Sequence, residues 1–414
     1  MSDIRRKNIF QRIWIYMAVL GPGLITASAD NDAPGIATYS MAGSFYQYRF
    51  LWLIVIITFG EVIVQEMAAR LGAVTRKGTA DLIREQYGVK VTMFAMICLL
   101  IANMGTTVAQ FAGIAAGGEL LGVSRYILVP IVTLALGYMA LKGSYKFMEK
   151  ILLVLCLSAL SYVATAILIK PDFGEIARSA LHPTFDLDHN FILAMLATIG
   201  TTITPWGIFY MQASVVDKGV TVKDYPLTRM DVIFGATWGN LISAFIVITT
   251  GATLFKLGVR VEEAGQAAMA LAPLAGEWAT LLFTTGLLGA SILAAMVLPL
   301  STVYAITEAF GWERGLDQHR SDAPVFYGLY VAVIGISALF VLLPGLPLFD
   351  IMWLSQTVNA ILLPVLLVLV LKLANNKELM GIHINHRWQN YTAAGLTAMI
   401  MLITLALFLL PVLG

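Results

Sequence analysis

The chain has 414 residues, 59% of them hydrophobic and only 12% charged, with a formal net charge of +1 and a mean hydropathy of +0.82. Soluble domains carry about twice that share of charge, so the composition excludes a soluble globular protein and points to a lipid bilayer as the surrounding medium. No basic tail, phosphate loop or Cys/His metal spacing is present, which leaves no signal for nucleic acid, a resident cofactor or an obligatory protein partner.

Apolar runs of about 20 residues fall in chain order near 13–46, 50–70, 91–118, 125–142, 147–169, 191–214, 231–255, 277–308, 325–343, 349–374 and 391–413. They predict eleven transmembrane helices in an all-α polytopic membrane protein. The run after Arg5, Arg6 and Lys7 is read as the first membrane segment, not as a signal peptide. The stretch 259–274 carries Glu262 and Glu263 and reads as a short surface helix. Cys98 and Cys156 lie in apolar helices, where packing is their expected role. With the N-terminus cytoplasmic and the C-terminus outside, 20 of the 26 Lys and Arg residues fall in inner loops. That asymmetry is the positive-inside pattern. It places the chain in a cell membrane, expected to be a bacterial inner membrane.

The first segment is interrupted by Ser28-Ala29-Asp30-Asn31-Asp32-Ala33-Pro34-Gly35. An Asp at the centre of a spanning helix costs roughly 2.5–3.5 kcal/mol on insertion scales, so such residues mark function. Pro and Gly beside them unwind the backbone and free its carbonyls to line a polar cavity. The sixth segment carries a second break, Gly200-Thr201-Thr202-Ile203-Thr204-Pro205-Trp206-Gly207. Interrupted helices at positions one and six indicate a five-plus-five inverted repeat with the substrate held between the halves. The expected organisation is one transporter domain, 1–414, with repeat one near 13–169, repeat two near 191–374 and an extra helix near 391–413.

Other polar residues line up with these breaks. Asn103, Thr106, Thr107 and Gln110 in segment three are spaced at three or four, which puts them on one helix face. Ser355, Gln356 and Asn359 cluster in segment ten. Interhelical hydrogen bonds are the alternative use for such residues. Glu61 lies inside segment two, and Glu66 sits four residues before Arg70, the spacing of a structural ion pair. Glu119, Asp231, Glu308 and Asp350 fall at segment ends, where interfacial placement accounts for them.

At these motifs the chain resembles the Nramp family of divalent-metal transporters. Gly21-Pro22-Gly23, Ile36-Ala37-Thr38 and Gln65-Glu66-Met67-Ala68-Ala69-Arg70-Leu71-Gly72 are similar to its segments one and two, and Ser355-Gln356 with Leu363-Pro364 to its segment ten. The resemblance implies a LeuT-type fold and a metal held between segments one and six. The departures are specific. The family's Asp-Pro-Gly-Asn reads Asp32-Ala33-Pro34-Gly35 here, so Asp32 matches the aspartate and the asparagine becomes Gly35. Asn31 or Asp30 replaces the lost oxygen. The family's Met-Pro-His reads Thr204-Pro205-Trp206, its later histidine is Met211, and its acidic proton-transfer positions in segment three are Thr107 and Gln110.

Losing the thioether leaves an all-oxygen site, which suits Mg²⁺. Losing the titratable groups removes the family's proton relay. The pattern resembles the Nramp-related magnesium transporters, although an aluminium-linked branch alters the same positions. The expectation is therefore uncoupled, alternating-access entry of hydrated Mg²⁺, with Mn²⁺ also carried. Its driving force includes about 4.6 kcal/mol per 100 mV of membrane potential for a double charge. The expected metal residues are Asp30, Asn31, Asp32, Thr201, Thr204 and Gln356. The leading alternative is a proton-coupled Mn²⁺ or Fe²⁺ transporter, with Glu61 or Asp30 as its proton groups. An amino-acid carrier is disfavoured because two aspartates at the break repel a substrate carboxylate. An intramembrane aspartyl protease, the enzymatic rival, needs its two aspartates on different helices.

Overall fold

The computed structural model describes residues 31–142, 157–313 and 321–413. Among these residues regular structure is entirely helical. In chain order the helices are α1 (Ala33–Tyr46), α2 (Leu51–Thr75), α3 (Thr79–Leu120), α4 (Arg125–Lys142), α5 (Leu160–Ile169), α6 (Phe173–Leu181) and α7 (His189–Thr202). They continue as α8 (Pro205–Asp217), α9 (Tyr225–Thr253), α10 (Ala264–Met269), α11 (Ala279–Phe310), α12 (Pro324–Val341), α13 (Leu348–Ala374) and α14 (Arg387–Leu413). Eight stretches of these helices are long and apolar enough to cross a bilayer, and Arg125–Ala140 and Leu157–Ile169 are shorter apolar helices. The expected first and fifth segments begin in residues outside the described ones, as does Asp30.

Several expectations are corrected in detail. Helix α3 begins at Thr79, twelve residues before the apolar run, and turns at Gly88, where φ is +76°. Its first turns carry Asp81, Arg84 and Glu85, so composition had hidden them from an apolar count. Helix α6 occupies a stretch read as a loop and begins with Asp172 accepting hydrogen bonds from the N–H groups of Gly174 and Glu175. The short surface helix expected at 259–274 is α10, closed by a capping box between Glu263 and Gln266. Asp231 and Glu308 are buried, not interfacial, at 5% and 3% exposure.

Helix α3 is the axis of the bundle, flanked by α11 and α13, while α1 lies against α9, α13 and α7. Lipid supplies no hydrophobic drive between helices, so close packing of small residues holds them. A Cβ on Gly200 would meet the Ala360 backbone nitrogen at 2.7 Å, so α7 presses directly on α13 there. A Cβ on Gly113 would meet Ser291 Oγ at 2.6 Å and would also collide with Ala33. These two contacts set the depth at which both broken helices sit.

The candidate cation site at the two helix breaks

The two breaks are built alike. Asp32, in extended conformation, is the N-cap of α1: its Oδ1 accepts from the Gly35 N–H at 2.8 Å, and Pro34 occupies the first turn. Thr204, also extended, is the N-cap of α8: its Oγ1 accepts from the Gly207 N–H at 3.3 Å, and Pro205 occupies the first turn. In each case a side-chain oxygen satisfies a donor that an interrupted helix would otherwise leave orphaned. Proline costs nothing at that position because its missing N–H would have been unpaired.

Between the breaks the charge is arranged for a cation. Helix α7 ends at Thr202, and Ile203 joins it to the cap. The last carbonyls of α7 thus present the negative end of a helix dipole at the break, beside the Thr201 side chain, which is 2% exposed. Helix α1 packs on α7, and Tyr39 and Thr202 share a hydroxyl hydrogen bond of 2.7 Å. Asp32 is 3% exposed and supplies the full negative charge.

A third element completes the surroundings. Gln110 on α3 donates from Nε2 to Asp32 Oδ2 at 2.5 Å. Its carbonyl oxygen, Oε1, is buried and has no hydrogen-bond partner among the described residues. A buried amide oxygen without a partner beside a carboxylate is an acceptor able to face a cation or its hydration water. Among the described residues no three His, Cys, Asp or Glu side chains gather as a metal cluster. Among the described residues the breaks bring together one carboxylate with neutral side-chain and backbone oxygens, donor types that suit a hard dication.

The expected site residues sort themselves by what they touch. Asp32 and Thr204 cap the two breaks, and Thr201 lies in the last turn of α7. The Asn31 amide is turned to α9, donating to the Gly239 carbonyl and accepting from Ser243 Oγ, both at 3.2 Å. Gln356 donates to Ser355 Oγ at 2.9 Å and accepts from Asn359 at 3.0 Å, and Asn359 bonds Thr106 at 2.9 Å. The segment-three stripe divides. Thr106 and Gln110 carry this polar line toward Asp32, whereas Asn103 ties α3 to Thr302 at 2.8 Å and Thr107 bonds its own helix. Sequence reasoning saw Gln110 in the stripe but left it out of the site, because spacing gives a face and not the partner on it.

The ends of the bundle differ. Beyond Ala116, α3 leads to a cavity of about 400 Å³ whose rim holds Glu119, Glu262, Glu263 and Asp350. Arg125 pairs with Glu119 at 2.5 Å, leaving an excess of negative charge. At the other end, Glu66 and Arg70 form the expected ion pair, at 3.2 Å and nearly buried. Arg70 also donates to the His383 carbonyl at 2.9 Å and to Asn385, while Tyr225 and Gln389 donate to Glu66. Gln212 of α8 donates to the Lys77 carbonyl at 2.7 Å and bonds Thr79. That end is laced shut by side chains from α2, α3, α8, α9, α14 and the segment before α14.

A family model described as Natural resistance-associated macrophage protein-like matches residues 23–410. The Divalent metal cation transporter MntH of Klebsiella pneumoniae subsp. pneumoniae is 27% identical over 383 residues, covering 90% of this chain and 89% of that one. MntH of Pectobacterium carotovorum subsp. carotovorum is 25% identical over 403 residues, covering 96% and 94%. Among solved structures, the Eremococcus coleocola manganese transporter superposes with a TM-score of 0.73 at 19% identity, covering 96% of this chain and 87% of that one. MHP1, a nucleobase-cation-symport-1 family transporter, gives 0.61 at 14% identity, covering 95% and 90%. These likenesses show the fold, the LeuT-type arrangement that the family resemblance implies.

Proposed function

Because the chain belongs to the Nramp family, whose members are transporters and not enzymes, we propose that it carries divalent metal cations across a bacterial inner membrane. The cation binds between the two breaks, on Asp32 with the α7 carbonyls, Thr201, Thr204 and Gln110 Oε1 around it. The observation that carries this reading is the carboxylate of Asp32 at the N-terminus of α1, flanked by the unsatisfied amide oxygen of Gln110. Asp30, the other aspartate expected to bind the metal, lies outside the described residues.

Mn²⁺ is the favoured cargo, since the relatives are named as divalent metal and manganese transporters and Mn²⁺ accepts carboxylate, carbonyl and water oxygens. This departs from the Mg²⁺ preference drawn from the residues alone. One observation keeps Mg²⁺ as a second cargo: the position of the family's thioether is Thr204, so the site offers oxygen only. Access follows the acid-rimmed cavity above α3, which concentrates cations before they reach Gln110. With the N-terminus cytoplasmic, that cavity faces outside and the Glu66–Arg70 lacing closes the cytoplasmic end. The repeats near 13–169 and 191–374 then rock about the fixed site, a motion supported by the matched construction of the two breaks. Proteoliposomes containing a metal-sensing dye test the reading: Mn²⁺ entry that Mg²⁺ inhibits at higher concentration supports it, and absence of entry for both ions overturns it.

A further inference from the structure

At the laced end of the bundle, α3 carries a short arm, 79–88, ahead of its membrane-spanning part, and the two meet at the positive-φ turn of Gly88. A cavity of about 110 Å³ lies beside this turn. Arg84, Val89, Thr92 and Met93 of α3 line it, with Ala309 and Phe310 at the end of α11. Arg84 Nη1 donates to the Ala309 carbonyl at 3.1 Å, which satisfies one of the last carbonyls of α11 and holds the guanidinium at the cavity wall. The rest of that guanidinium has no partner among the described residues. Lys90, two residues past the turn, is exposed like Arg84 and likewise has none.

The apolar side of the cavity runs on into the lipid-facing surface. Val89, Met93, Ile97 and Ile101 recur every four residues on α3 and are all exposed, so they form one stripe leading from the cavity along the span. Phe310 and Trp312, both exposed, stack at 4.9 Å at the end of α11. Aromatic rings in such a place mark the level of the lipid headgroups. The cavity therefore sits where a membrane passes from charged headgroups to acyl chains, with two cations above it and an apolar stripe below.

We infer that this cavity binds the headgroup of an anionic phospholipid, its phosphate on Arg84 and Lys90 and one acyl chain along the α3 stripe. A guanidinium presents a planar fork of donors that matches phosphate oxygens, and a lysine adds a point charge. The same two cations repel the ammonium of a zwitterionic choline headgroup, so charge selects the anionic lipid. Nearby carboxylates are engaged: Glu85 with Lys77 Nζ at 2.6 Å, while Asp81 and the buried Glu308 have interactions of their own. Glu313, exposed beyond Trp312, is not part of the lining. The volume admits a phosphate with part of its glycerol and is too small for a peptide segment. A lipid held there joins the arm of α3 to the end of α11 and steadies the turn at Gly88. On the orientation proposed above, the leaflet is the cytoplasmic one.

The test is native mass spectrometry of the purified full-length protein from detergent micelles doped with equal amounts of phosphatidylglycerol and phosphatidylcholine of the same chain length. Thermal unfolding in micelles holding one lipid or the other is the second readout. Wild type should retain phosphatidylglycerol roughly 25-fold over phosphatidylcholine, about fivefold for each basic residue, and should melt higher in phosphatidylglycerol. Lys90→Gln should lower that preference about fivefold. Arg84→Gln combined with Lys90→Gln should abolish both the preference and the difference in melting. A preference that survives in the double variant overturns the proposal, as does equal retention of the two lipids by wild type. Displacement of phosphatidylglycerol by millimolar glycerol phosphate assigns the cavity to a soluble phosphate and also overturns it. Should Arg84→Gln fail to elute as a monodisperse species, Val89→Trp decides. It fills the cavity from an exposed position without touching either charge and should lower phosphatidylglycerol retention; unchanged retention counts against the cavity.

Discussion

Glu61 and Glu66 lie five residues apart on the same helix and are almost equally buried, at 2% and 5% exposure. Glu66 is met by a guanidinium, a phenol and an amide, and its charge is matched within the clamp that closes one end of the bundle. Glu61 accepts hydrogen bonds from the amides of Gln65 and Asn240, among its contacts, beside a water-sized space lined by Tyr39 and Thr202. Equal burial therefore covers two different settings, an ion pair within a clamp and amide donors beside a water-sized space. The clamp should govern stability, and the breaks should govern ion handling.

The strongest way to break this contrast is Arg70→Met. It strands Glu66 as an unmatched buried charge, expected to cost about 3–5 kcal/mol. Thermal unfolding in detergent should show a large fall in midpoint, partly recovered by adding Glu66→Gln. Gln110→Leu comes next: it removes a hydrogen bond to a charged group, worth about 1.5–3 kcal/mol. The loss should appear in Mn²⁺ affinity measured by titration, roughly tenfold or more, with little change in the melt. Thr204→Ala removes the cap of α8 for about 1 kcal/mol, so a modest lowering of the melt is expected and Thr204→Ser should restore it. Smallest on stability is Glu61→Gln, which keeps shape and hydrogen-bonding capacity. Its unfolding free energy should stay within about 1 kcal/mol of wild type. A melt as damaged as that of Arg70→Met would erase the distinction between the two carboxylates.

Much of this arrangement is legible in the sequence because apolar runs make every polar residue conspicuous. Asp32, Pro34 and Gly35 announce one break, and Thr204, Pro205 and Gly207 the other, by types that cannot continue a helix in lipid without a use. The Glu66–Arg70 spacing gives the ion pair directly. What stayed hidden depends on contacts between distant residues. The Asn240 amide that holds Glu61 is 179 positions away, and nothing local marks it. Gln110 lies 78 residues from Asp32, so its face was readable and its partner was not. Asn31 looked like an oxygen ligand, yet its amide is occupied by α9. Asp231 and Glu308 sit at helix ends, a position that suggests water, but neighbouring elements cover both. Helix α6 and the first turns of α3 were missed because charged residues lower their hydropathy without preventing a helix.

The central claim is that the Asp32 carboxylate holds the transported dication, beyond its service as a helix cap. Asp32→Asn separates the two roles, since Asn caps a helix about as well as Asp but brings no charge. Dye-monitored Mn²⁺ entry into proteoliposomes holding equal amounts of wild type and Asp32→Asn measures the difference directly. Entry that drops to the level of empty vesicles, with the unfolding midpoint retained, is the expected result. Wild-type entry by Asp32→Asn would contradict the account.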